Sequence, residues 1–135
     1  MTDTKAAKAV DESMRWLWRR HGEIMAAEKK ALELLDQGDT RGHRLAMRDK
    51  AELVASLADE AAAYLASCGD LPAAMSAEIE NALQPFSQSA RAGLALDSVF
   101  YMSSLLYRDD HKKGEPDTLF QRLTSLGQSL GWTRG

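Results

Sequence analysis

A chain of 135 residues with a net charge of −3 is long enough to bury a hydrophobic core without disulfide bonds or structural metals. Its 44% hydrophobic and 27% charged residues argue against wholesale disorder, and the near balance of charges argues against a nucleic-acid-binding surface. The single cysteine, Cys68, excludes an internal disulfide bond and a thiolate metal site. We therefore expect one domain over residues 1–135.

The compartment is predicted from two further features. No apolar run approaches the ~20 residues that a helix needs to cross a bilayer. Residues 1–5 carry charges and lead into Ala-rich helical sequence, which is unlike a signal peptide. These features favour a cytoplasmic protein without a transmembrane segment.

The first predicted helix spans residues 5–37. Its apolar residues recur at alternating steps of four and three, the period of a packed helical pair. This stripe consists of Val10, Met14, Leu17, Ile24, Ala31 and Leu35, widened by Trp18, Met25 and Leu32. His21 and Glu28 interrupt the stripe, and they predict either polar residues that fix the register of the pair or two ligands of a metal or small-molecule site.

A tight turn is predicted after this helix. Gly38 suits the left-handed end of a helix, and Asp39 or Thr40 can cap the next one. The second helix continues the four–three stripe to Cys68 through Met47, Ala51, Val54, Ala58, Ala61 and Leu65. We therefore predict a long antiparallel helical hairpin over residues 5–68.

Shorter packing helices are predicted over residues 71–130. The third helix begins near Pro72, and Pro85 either kinks it or begins a new helix. The helical pattern continues from residue 86 to residue 107, a polar loop spans 109–116, and a last helix covers 117–130. The predicted fold class is all-α, an antiparallel helical bundle of about four to five helices built on the N-terminal hairpin.

Two segments are candidates for contact with another molecule. Trp16 lies beside arginines and off the apolar stripe, so it either binds a partner protein or an interface of lipid headgroups, or packs under the third or fifth helix. Residues 99–107 carry apolar side chains all around the helix, which predicts burial on several sides or docking to a partner or a second copy. The candidate partner-binding residues are Trp16, Val99, Phe100, Tyr101, Met102, Leu105 and Leu106.

The layout of the hairpin also carries a resemblance. Residues 28–39 form the end of a long helix with an acidic-Gly turn, and a second long helix follows with Lys50 near its start. In these features the chain resembles flagellar export chaperones, which hold hook-associated subunits before secretion. The resemblance covers residues 20–110 and implies that a C-terminal amphipathic region, here residues 94–107, captures the client protein.

No catalytic signature is present. The glycines stand singly at helix ends, so there is no phosphate-binding loop, and no serine lies in a nucleophile elbow. We therefore expect a non-enzymatic helical bundle, such as an export chaperone or adaptor, that needs no cofactor and binds another protein or itself. The alternative is a metal- or small-ligand-binding bundle that uses His21 and Glu28.

Overall fold

Five α-helices make up the regular structure of residues 4–133, the part of the chain that this computed structural model describes. In chain order they are α1 (Thr4–Asp36), α2 (Thr40–Ala66), α3 (Ala73–Leu96), α4 (Val99–Ser104) and α5 (Thr118–Ser129). No strand occurs in that part, and the predicted all-α class is confirmed. Residues 1–3, from the predicted N-terminal segment, and residues 134–135 lie outside the described residues.

The hairpin forms because a short turn reverses the chain between α1 and α2. Gly38 adopts a φ of 79°, a left-handed conformation that costs glycine little. The Asp39 carboxylate then accepts a hydrogen bond of 2.8 Å from the Gly42 N–H and caps α2. The two helices pack against each other over many residues, so the predicted hairpin is confirmed.

Most of the predicted apolar stripe is buried. Its fully buried members include Met14, Leu17, Ile24 and Ala31 of α1, and Met47, Ala51, Val54, Ala58 and Ala61 of α2. Leu32 and Leu35, which we also predicted on the stripe, are instead 47% and 44% exposed. Ala31 is the last buried residue of α1, so the core ends about one turn before the helix does.

α3 continues through Pro85 without a break, so the proline does not start a new helix. Pro85 lies on the exposed side, where water can reach the carbonyl that a proline leaves unbonded. Two residues later, the buried Ser87 hydroxyl donates to the Val54 carbonyl at 2.8 Å and accepts from the Ala58 N–H at 3.0 Å. These bonds fix α3 against the middle of α2.

The predicted continuous helix over residues 86–107 is wrong, because the chain turns at Asp97. This residue adopts a left-handed conformation with a φ of 49°, and its carboxylate binds Arg44 and Arg48 of α2 at 3.0 Å each. Ser98 then caps α4 by accepting a hydrogen bond from the Tyr101 N–H. The corner between α3 and α4 thus combines a local helix cap with ion pairs to α2.

The C-terminal helix closes the core. Asp117 caps α5 by accepting a hydrogen bond of 3.0 Å from the Phe120 N–H, close to the predicted helix start. Leu119, Leu123 and Leu126 of α5 are buried in the same hydrophobic cluster as the hairpin residues. Among the residues described, no helix combines the length and apolar character that crossing a membrane requires.

We predict opposite effects of alanine at two glycines. Gly38→Ala places a side chain at positive φ and should lower the free energy of unfolding by about 1 kcal/mol. Gly22→Ala lies inside α1 with no atom within 4 Å of the new Cβ, so it should raise that free energy by up to about 1 kcal/mol. Urea denaturation of both variants measures the difference, and equal effects of the same sign would contradict the turn geometry.

Candidate functional site

Two aromatic side chains of α4 point into solvent. Phe100 is 75% exposed and Tyr101 is 54% exposed. Their rings meet edge to face, with centroids 5.8 Å apart and an interplanar angle of 76°. The pair therefore forms a small aromatic surface that none of the described helices covers.

The other large exposed hydrophobic residues of the described chain lie toward the same end of the bundle. We call this surface the apolar end; it consists of Leu32, Leu35, Leu45, Leu96, Phe100 and Tyr101. Leu32 and Leu35 flank the hairpin turn on α1, and Leu45 lies five residues into α2. Leu96 precedes Asp97, which binds the start of α2, so these residues share the end at which α1 stops. The opposite end carries no comparable set among residues 4–133.

The rest of the predicted docking segment belongs to the core. Met102, Leu105 and Leu106 are at most 9% exposed, and Val99 is half-buried against the same cluster. α4 packs closely on α3 here, since a Cβ built at Gly93 would be in ordinary van der Waals contact with the Met102 side chain at 3.8 Å. Of the predicted α4 residues, Phe100 and Tyr101 remain available for contact with a partner.

A buried lysine holds the end of α4 in place. Lys50 is fully buried, and its ammonium group donates to Glu28 Oε1 at 2.7 Å. The same nitrogen reaches the carbonyl oxygens of Ser103 at 3.3 Å and Leu105 at 3.0 Å, so each of its three N–H donors has an acceptor. Burial lowers the pKa of Lys50, and the hydrogen bond that Lys50 donates to Glu28 opposes that shift. The ammonium group links α1 and α2 to the segment that carries the aromatic pair.

Tyr107 binds the second carboxylate oxygen of Glu28. The phenol donates a hydrogen bond to Glu28 Oε2, and the Lys50 ammonium lies 5.2 Å from the centre of the tyrosine ring. Burial and the hydrogen bond to Glu28 both raise the pKa of Tyr107 far above its ordinary value. Tyr107 therefore remains a neutral hydrogen-bond donor at physiological pH.

A second polar pair lies next to this group. His21 Nε2 lies 2.9 Å from Asp117 Oδ1, which joins α1 to the start of α5. Burial opposes ionisation of Asp117, but hydrogen bonds from His21 and from the Phe120 N–H outweigh it and hold its pKa below the ordinary value. We call the five side chains together the polar cluster; they are Glu28, Lys50, Tyr107, His21 and Asp117.

The two predicted metal-ligand candidates are thus occupied by protein partners. Glu28 bonds to Lys50 and Tyr107, and His21 bonds to Asp117. No group of three or more histidine, cysteine or acidic side chains is placed to hold a metal ion within residues 4–133. The geometry favours a structural interpretation of both residues, in which Glu28 joins α1 to α2 through Lys50 and His21 joins α1 to the start of α5.

Trp16, the remaining predicted contact residue, packs within the hairpin. Its ring stacks on Tyr64 of α2 with centroids 5.0 Å apart, and the Arg20 guanidinium lies 5.1 Å from the ring centre. Trp16 therefore contacts α2 through this stack. It lies apart from the aromatic pair on α4.

Sequence reasoning missed three residues of the polar cluster. Lys50 falls on the buried face of α2, between Met47 and Val54, which is a signal that could have identified it. Tyr107 and Asp117 lie outside the helices, where side-chain periodicity gives no information about burial. The exposed Leu45 was also unpredicted, whereas Leu96 lies within residues 94–107, the region to which the resemblance assigns client capture.

Comparison with known protein families, curated proteins and solved structures finds no match to this chain.

Lys50→Met should lower the free energy of unfolding by about 3 kcal/mol or more, because it leaves Glu28 charged and two carbonyls unbonded in the core. The double variant Lys50→Met, Glu28→Leu removes both charges, so its free energy of unfolding should fall by less than that of the single variant. Urea denaturation at neutral pH measures both. A single variant within about 1 kcal/mol of the wild type would contradict the role of this ion pair.

Asp117 should contribute pH-dependent stability. Because its pKa is lower in the folded protein, its contribution is present above the unfolded pKa of about 4 and is lost as the pH falls through the folded value. The difference in unfolding free energy between the wild type and Asp117→Asn should therefore shrink as the pH is lowered from about 5 to about 2. The exposed Asp109→Asn serves as the control, and an equal pH trend in it would contradict the assignment.

Proposed function

We propose that the protein is a non-enzymatic helical bundle that binds another protein through Phe100 and Tyr101 at the apolar end. The observation that carries the proposal is the exposure of this aromatic pair on a helix whose other side is buried. Apolar residues gathered at one end of a protein are typical of an interaction site.

The size of the surface supports a reversible complex. Burying roughly 200 Å² of aromatic surface contributes about 5 kcal/mol before the entropic cost of association is subtracted. The neighbouring leucines Leu96 and Leu45 must then contribute to a specific complex. An amphipathic helix of the partner, laid across the end of the bundle, contacts such a set through side chains at helical spacing.

The finer proposal is an export chaperone or adaptor that acts in the cytoplasm. Its support is the sequence resemblance over residues 20–110, in which the client-capturing region corresponds to residues 94–107. The aromatic pair falls inside that region. The client would be a protein whose amphipathic helix is exposed before secretion.

Phe100→Asp should weaken partner capture by about tenfold or more while helicity is unchanged, because it places a charge where an apolar contact forms. The matched control is Ala77→Asp, which adds the same charge to an exposed position near the other end of α3 and should have no effect. Affinity capture followed by mass spectrometry identifies the partner, and circular dichroism measures helicity.

Three outcomes would contradict the proposal. Global unfolding of Phe100→Asp would show that the ring supports the core. Equal loss of capture in Ala77→Asp would show that the apolar end is not the contact surface. A dimer in sedimentation that Phe100→Asp dissociates would show that the surface joins two copies of the chain.

A further inference from the structure

Residues 15–20 of α1 are rich in arginine and tryptophan, and these side chains lie on two different faces of the helix. Trp16 and Arg20 face α2, where Arg20 also lies 3.5 Å from Glu60. The remaining residues of the segment turn toward the C-terminal end of the chain. There a cleft of about 300 Å³ is lined by Arg15, Trp18, Arg19 and Trp132. This cleft is distinct from the apolar end.

The Trp132 wall of the cleft is held by three contacts. Its indole N–H donates to Asp11 Oδ1 at 2.9 Å, and its backbone N–H donates to the Gly127 carbonyl at 2.8 Å. The ring also lies against Gly127, where a Cβ would come within 3.1 Å of it. A larger residue at position 127 would displace the indole. Trp132 is therefore positioned before any ligand arrives.

The Trp18 wall is fixed by other aromatic rings. Trp18 meets Phe120 edge to face with centroids 4.9 Å apart, and it meets His21 in the same way at 5.5 Å. Two indoles that are already ordered offer an aromatic ligand a binding surface with little further loss of conformational entropy.

The two arginines of the cleft and the neighbouring Asp11 together carry one net positive charge. Arg15 Nε binds the Asp11 carboxylate at 3.0 Å, so its terminal nitrogens remain for a ligand. Hydrogen bonds from Trp132 and Arg15 lower the pKa of Asp11, which is ionised at neutral pH. Arg19 lies one turn after Arg15 and forms no ion pair with any residue of the described chain. Asp11 thus neutralises one guanidinium, and Arg19 remains uncompensated.

We propose that this cleft binds a carboxylate attached to an aromatic ring, with the ring between Trp18 and Trp132 and the carboxylate on Arg15 and Arg19. A single net positive charge matches a monoanion, whereas the Asp11 carboxylate repels a doubly charged phosphate. The volume is at the small end of ligand sites and fits one aromatic residue. Such a group occurs in a free aromatic acid and at the C-terminus of a peptide that ends in an aromatic residue.

The test follows the three indole N–H signals in two-dimensional ¹⁵N–¹H NMR spectra of the full chain. Titration with N-acetylphenylalanine should shift the signals of Trp18 and Trp132, while Trp16, which faces α2, serves as the internal control. N-acetylphenylalanine amide, which lacks the carboxylate, should bind at least about tenfold more weakly. A peptide Gly-Ser-Gly-Ser-Gly-Phe distinguishes the two sources, because tighter binding of the peptide assigns the site to a chain terminus.

The matched variants are Arg19→Gln and Arg41→Gln, both at exposed positions of long helices. Arg19→Gln should weaken binding of N-acetylphenylalanine about tenfold, and Arg41→Gln should leave it unchanged. Equal binding of the acid and the amide would overturn the proposal, as would stronger binding of inorganic phosphate or no shift at millimolar ligand. Because the cleft lies away from Phe100, a failure here leaves the proposed partner surface unaffected.

Discussion

An ammonium group in the middle of a helical bundle has no water to solvate it, so protein groups must bond its N–H donors. Lys50 meets this requirement with Glu28 of α1 and with the carbonyls of Ser103 and Leu105 at the end of α4. One side chain of α2 therefore joins the hairpin to the segment that carries Phe100. The position of α4 depends on such contacts, because a helix of six residues is not stable by itself.

In this arrangement some side chains of α4 contribute to the stability of the fold and others do not. Met102 is fully buried and contributes to the core, whereas Phe100 remains three-quarters exposed and contributes little to stability. A polar residue at position 100 would satisfy the requirements of folding equally well. The proposed docking to another protein would require an apolar side chain there, and this difference supports the proposal for Phe100.

The fold was largely predictable because its signals are local. Apolar residues at alternating steps of four and three identify each helix of the hairpin. A Gly-Asp pair then marks the turn within two residues of sequence. The corner between α3 and α4 was not predictable in this way. Asp97 adopts a left-handed conformation without being glycine, and its carboxylate binds Arg44 and Arg48 of α2, about fifty residues away. Apolar residues at helical spacing continue on both sides of this corner, so the pattern does not reveal the break.

The candidate sites depend still more on contacts between distant residues. Glu28 was noticeable because it interrupts an apolar stripe, but its partner Tyr107 lies 79 residues along the chain, in a segment without periodicity. Trp132 and Asp11 are separated by 121 residues and together form a wall of the cleft. In each case one partner is carried by the long helix α1 and the other by the C-terminal segment. Both sites therefore combine side chains of the regular helices with side chains of the less regular C-terminal segment.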